Sequence, residues 1–176
     1  MTISDEAQKI LRKRALTLSK EISTSDEDDQ YIEVTEFYLA TEWYGIETCY
    51  ISEVHQLDDF TELPCTPDFV FGIMNIRGEI ISVIDIKKFF GLPQRGISDL
   101  NKVIVLKNEG MKFGILVDEI LGVSHISVNN LKFDLPTLTD IRSDYLMGVT
   151  IDRLTVLDGG KLLNNNRVIV HEEVSL

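Results

Sequence analysis

The chain has 176 residues, enough for one compact domain or two very small ones sharing a core. Hydrophobic residues make up 44% and charged residues 26%, an ordinary balance for a globular protein. The 17 basic residues stand against 29 acidic ones, a net charge of −12. That field repels phosphate backbones and anionic lipid headgroups, which argues against nucleic acid and direct membrane insertion.

Residues 1–22 predict a helix. Ile3, Ala7, Ile10, Leu11, Ala15, Leu18 and Ile22 recur at three- and four-residue spacing and form one stripe. Asp5 and Glu6 fall in the first turn, whereas Arg12, Lys13, Arg14 and Lys20 come later, the order the helix dipole favours. The stripe serves either for packing on the chain's own domain or for docking a partner. Residues 23–30 are polar and acidic, cannot bury themselves, and read as a linker ahead of a domain over 31–173.

From Tyr31 the period changes. Glu33–Thr41, Trp43–Cys49, Val70–Ile76, Glu79–Ile84, Lys102–Lys107, Lys112–Asp118, Met147–Ile151 and Arg153–Leu157 are short, β-branched and aromatic. Arg77-Gly78, Asn108-Glu109-Gly110 and Asp158-Gly159-Gly160 punctuate them as turns, and Arg167–His171 reads as a last strand. No segment is long enough to space parallel strands in a doubly wound fold. The apolar run at Ile80–Ile86 falls well short of the ~20 residues of a membrane helix, and no signal peptide is visible, so a cytoplasmic protein is expected. Cys49 and Cys65 form neither a disulfide framework nor a metal set, and are expected to be ordinary apolar side chains.

An internal repeat sharpens the fold. Tyr44-Gly45-Ile46 recurs as Phe113-Gly114-Ile115, and the run from Gly72 to Asp85 recurs loosely from Gly148 to Asp158. Lys87–Phe90 then matches Lys161–Leu163. Two related small β barrels packed together satisfy this pattern, with approximate halves 31–97 and 98–173 and terminal strands open to exchange.

Catalytic signatures are missing. His55, His125 and His171 are scattered, and neither a phosphate-binding glycine loop nor a Gly-x-Ser-x-Gly elbow occurs. Asp58-Asp59 and Glu172-Glu173 read as solvated surface, and Cys65, between Pro64 and Pro67, has no nearby base to activate it. An enzyme is disfavoured, and no cofactor is implied.

One stretch stands apart. From Thr66 to Leu92 it runs Thr66-Pro67, Phe69-Val70-x-Gly72, Asn75-x-Arg77-Gly78 and Val83-x-Asp85. Gly72 permits close approach or an unusual φ, Asn75 can bond turn amides, and Arg77-Gly78 can reverse the chain. A functional Arg77 needs a carboxylate to hold it. This stretch resembles the signature of CheW-like chemotaxis coupling proteins, with Ser82 where that pattern usually carries proline. Tyr44-Gly45-Ile46 with Ile51-Ser52-Glu53-Val54 resembles the family's first hairpin and the segment after it. Phe113–Asp118 resembles the second hairpin, and the likeness spans about 31–173.

The resemblance implies a mainly all-β fold of two packed five-stranded SH3-like barrels with short helical turns, and no catalysis. It implies an adaptor that couples transmembrane chemoreceptors to a histidine autokinase in bacterial chemotaxis, in the cytoplasm at membrane-bound chemoreceptor arrays. The partners implied are the kinase's regulatory domain and the chemoreceptor's cytoplasmic signalling tip, the latter taken in a groove between the barrels. Carried onto this chain, Ile51, Glu53 and Arg77 match receptor-groove positions, with Glu53 expected to hold Arg77 by an ion pair. Val117 and Leu121 are candidates for the groove's far wall, with barrel core as the alternative for Val117. Gly72, Asn75 and Gly78 match the hairpin region of kinase contact. Also open are an adaptor of another chemosensory pathway (pili or gliding), a phosphorylation-dependent regulator, and, last, a small-ligand enzyme.

Overall fold

The computed structural model describes residues 30–94, 96–132 and 141–165. The expected helix over 1–22, the linker up to residue 29 and the last strand at Arg167–His171 lie outside them.

Eleven strands are present among the described residues: β1 (Tyr31–Leu39), β2 (Glu42–Glu47), β3 (Ile51–Gln56), β4 (Phe60–Thr61), β5 (Val70–Ile76), β6 (Glu79–Asp85), β7 (Lys102–Lys107), β8 (Lys112–Val117), β9 (Glu119–Ser127), β10 (Leu146–Val149) and β11 (Thr155–Leu157). Two short helices follow β6 and β11: α1 (Ile86–Phe89) and α2 (Gly159–Leu163). The first sheet has five strands in the order β10-β11-β2-β1-β9, and the second six, β3-β7-β8-β6-β5-β4. The mainly all-β expectation holds, with the two-residue β4 as the extra strand of the second sheet.

The sheets do not divide the chain at 97/98. Among the described residues the second sheet is built from 51–117, and the first from 31–47 together with 119–157. Each therefore takes a hairpin from one half of the repeat and its remaining strands from the other. The physical reason lies in two parallel pairings that the repeat makes equivalent. Tyr44, Gly45 and Ile46 of β2 lie beside Thr155, Val156 and Leu157, while Gly114 and Ile115 of β8 lie beside Val83 and Ile84. The repeated glycine is required in both. A Cβ on Gly45 would sit 2.4 Å from Val34 Cγ1, and one on Gly114 would sit 2.6 Å from Val103 Cγ1. Asp85 and Asp158, also equivalent, cap α1 and α2: Asp85 accepts from the Lys87 and Lys88 amides, and Asp158 from the Lys161 amide.

Three apolar clusters result. Met74, Ile81, Val83, Val103, Val105 and Leu116 pack within the second sheet, and Val34, Ile126, Leu131, Leu154 and Val156 within the first. The largest cluster joins the sheets, with Phe37, Tyr44 and Ile46 from one side and Ile104, Leu106 and Ile115 from the other. Strands β7 and β8 are buried on both faces, which explains their unbroken apolar runs. Val117 is fully buried in the shared cluster, so its side chain lines no surface: the core alternative holds for it. Both cysteines are exposed rather than packed as apolar side chains, and Cys65 sits at φ 62°.

A polar tie crosses this interface. Buried Lys87, just past β6, donates to Asp118, which also accepts the Ala40 amide at 2.6 Å and Asn101 Nδ2 at 3.1 Å. The Asp118 amide in turn donates to Tyr38 O at 3.0 Å.

Candidate functional site

The turn between β5 and β6 is a two-residue hairpin loop. Ile76 pairs with Glu79, and Arg77 and Gly78 between them have φ values of 54° and 86°. Two positive φ angles give the loop the twist that suits a tight hairpin, and Gly78 takes its share without strain. Asn75 Oδ1 accepts the Gly78 amide at 2.8 Å and holds the turn shut. The loop thus presents Arg77 outward, 80% exposed.

Glu53 of β3 comes to meet it. Arg77 Nε lies 3.3 Å from Glu53 Oε2, although 24 residues and several strands separate the two in sequence. The same carboxylate binds His55 Nε2 at 2.8 Å and faces Lys112 Nζ at 3.5 Å, while Lys112 also reaches Glu79 at 2.6 Å. Three basic side chains therefore surround one carboxylate that is only 16% exposed. The hydrogen bond from His55 holds the Glu53 carboxyl below its usual value, and the charges of Arg77, His55 and Lys112 add to this against the opposing effect of desolvation. The bond to Glu79 first, and that carboxylate's charge together with Glu53's after it, raises the Lys112 ammonium.

Apart from this cluster, a groove of about 550 Å³ opens between the β7–β8 turn and α2. Tyr50, Met111 and Leu163 supply its apolar surface, and Asn108 and Asn164 its polar edges. Gly159-Gly160 opens α2 here rather than forming a turn, because the helix approaches the Tyr50 ring closely. A Cβ on Gly159 would lie 2.5 Å from Tyr50 Cδ2. Burial, and then Glu47, pushes the Tyr50 hydroxyl up.

Of the sequence-derived site residues, Glu53 and Arg77 come together, with half-buried Ile51 two residues away on the same strand. Asn75 and Gly78 form the turn that carries Arg77. Gly72 is buried at the bulge of β5, with φ 151°, where a Cβ would strike Thr61 O at 2.4 Å; its place is under the 60–62 backbone, not on the surface. Leu121 is 42% exposed but belongs to β9 of the other sheet. Ser82, in the place of the family's proline, pairs regularly with Ile73 and faces solvent. Sequence reasoning missed Lys112, His55 and Glu79 as members of the Glu53 cluster: register brings in Lys112 and Glu79, whereas the two-residue alternation of β3, which puts His55 on the face of Glu53, was the signal that could have found it. Among the described residues no three or more His, Cys, Asp or Glu converge as a metal set, and no helix is long and apolar enough to cross a membrane.

Residues 33–167 match the CheW-like domain family. The chain is 30% identical over 148 residues to the chemotaxis protein CheW of Treponema pallidum, covering 80% of this chain and 87% of that one. It is 31% identical over 144 residues to CheW of Klebsiella aerogenes, covering 79% and 86%. Among solved structures, the scaffolding protein TtCheW from Thermoanaerobacter tengcongensis superposes with a TM-score of 0.66 at 33% identity, over 73% of this chain and 89% of that chain.

Proposed function

The chain belongs to the CheW-like domain family, and we propose accordingly that it is a non-catalytic adaptor, coupling transmembrane chemoreceptors to a histidine autokinase in bacterial chemotaxis. The observation that carries the reading is Arg77, presented on an exposed two-residue turn beside Glu53, a carboxylate met by three basic side chains; the groove floored by Tyr50, Met111 and Leu163 is a separate surface. An amphipathic helix suits such a groove, because anchors at i, i+3, i+4 and i+7 fill the apolar floor while its polar face meets Asn108 and Asn164. The occupant is the chemoreceptor's cytoplasmic signalling tip. Ile51 adds apolar contact, Glu53 positions Arg77, and Arg77 meets the receptor. Leu121 extends the receptor surface on the other sheet, with Val117 as the core beneath.

The kinase's regulatory domain takes the β5–β6 hairpin. Asn75 and Gly78 fix the shape of that turn, and Gly72 lets the 60–62 backbone lie flat behind it. The mechanism is linkage, not chemistry. Receptor and kinase binding favour one arrangement of the assembly, and such coupling is typically ~1–3 kcal/mol. The adaptor works in the cytoplasm at the receptor arrays.

Titration of a receptor-tip fragment and, separately, of the kinase regulatory domain into wild-type chain and Arg77→Glu tests the assignment. We expect receptor affinity to fall roughly tenfold, about 1.4 kcal/mol. Unchanged affinity for both partners contradicts it.

A further inference from the structure

The first sheet carries a second cleft, of about 310 Å³, between the end of β9 and the β10–β11 turn. Tyr31, Trp43, Ile126, Ser127, Ile151 and Leu154 line it. Two features set it apart from ordinary surface. Among the described residues Trp43 Nε1 and Ser127 Oγ are buried polar atoms without a hydrogen-bond partner, and Ser127 is only 5% exposed. Such groups are normally satisfied, since leaving one unpaired costs the full desolvation of the atom. The lip is also apolar, with Tyr31 61% and Ile151 74% exposed.

The chain itself names an occupant. It enters the first sheet at this lip: Gln30 O accepts the Val128 amide, and Tyr31 pairs with Ser127. Residues 23–29, seven in number, reach about 23 Å when extended, so the segment before them can cover the whole cleft. That segment, 1–22, has an apolar stripe too narrow to sustain a helix in isolation. It also carries five basic residues against three acidic ones, in a chain whose net charge is −12. The cleft offers the complement, since Glu36 and Asp152 line it and Glu33 stands beside His125 at its edge. We propose that residues 1–22 dock in cis on this cleft, apolar stripe against Tyr31, Trp43 and Ile151 and basic residues toward Glu36 and Asp152. A tether of this length keeps the segment at high effective concentration, favouring its own cleft over a neighbour's.

Trp43 is the sole tryptophan, so its fluorescence reads the cleft directly. Acrylamide quenching is compared among the full-length wild type, Leu11→Asp/Leu18→Asp, which removes the stripe, and Asp152→Lys, which reverses a charge on the cleft. The first two substitutions lie ahead of the packed strands, and the third is in an exposed turn, so thermal unfolding of the domain serves as the control for folding. Docking predicts that the quenching constant rises roughly twofold and emission shifts red in both variants, with wild-type values independent of concentration over roughly a hundredfold range. Unchanged quenching in both variants overturns the proposal. So does wild-type quenching that falls as concentration rises, which makes the occupant a second copy.

Discussion

Lys87 and Asp118 join the two sheets through a buried ion pair, with Lys87 2% and Asp118 15% exposed. Asp118 leaves β8 at the point where the chain crosses into the first sheet, and it also holds the Ala40 amide of the β1–β2 turn. Removing the carboxylate strands an ammonium in the interior and orphans that amide. Asp118→Ala is therefore expected to cost about 3–5 kcal/mol, measured by denaturant unfolding. Lys87→Met keeps the apolar stem and leaves Asp118 its Ala40 and Asn101 donors, so its loss is expected to be clearly smaller. Equal losses contradict this asymmetry.

The repeated glycines give a second expectation. Alanine at Gly45 or Gly114 drives a Cβ into a stiff valine, Val34 or Val103, and each substitution is expected to destabilise by about 1–3 kcal/mol. Gly78 differs: a Cβ there meets nothing within 4 Å, so Gly78→Ala carries only the strain of its positive φ, about 1 kcal/mol. Urea midpoints of the three variants check the order.

Acid stability depends on Glu53. Its folded-state value is lowered, so its contribution is present above the ordinary 4.5 and is lost as pH falls through the folded value. Glu53→Gln is expected to flatten the acid limb of a melting-temperature profile below about pH 4.5. Lys112 acts at the other end. Its folded value is raised, so its contribution is complete below 10.5 and disappears at higher pH. Lys112→Met removes that alkaline loss.

Glu47 has the opposite sign. Desolvation, and then Asp158, raises its carboxyl above 4.5, so its ionisation opposes folding at neutral pH. Glu47→Gln is expected to raise the melting temperature at pH 7 by roughly 1–3 °C, and the gain should fade near pH 4. A gain that persists at pH 4 contradicts the electrostatic origin.

Much of this architecture is legible in the residues alone. Asp85 and Asp158 announce two equivalent helix caps, and the paired Gly45 and Gly114 announce two equivalent hairpins. Strand β9 is harder to see, because its apolar Leu121 and Val123 face solvent while Gly122 and Ser124 are half-buried, an inverted alternation. The exchange of hairpins between sheets is likewise hidden, since β1 pairs with β9 some 90 residues away and no local signal carries that register. At the site, the need of Arg77 for a carboxylate can be read from the motif. Lys112 cannot, because only register brings it to the same carboxylate, whereas His55 shares the face of Glu53 by the alternation of one strand.

The adaptor assignment meets its sharpest test in reconstitution. The chain is combined with the histidine kinase of its own cell and a receptor signalling fragment, and kinase autophosphorylation is followed with each component omitted in turn. Autophosphorylation is expected to become receptor-dependent only when the chain is present, and Arg77→Glu is expected to weaken this dependence. Receptor control that is the same with and without the chain, for every kinase of that cell, contradicts the assignment.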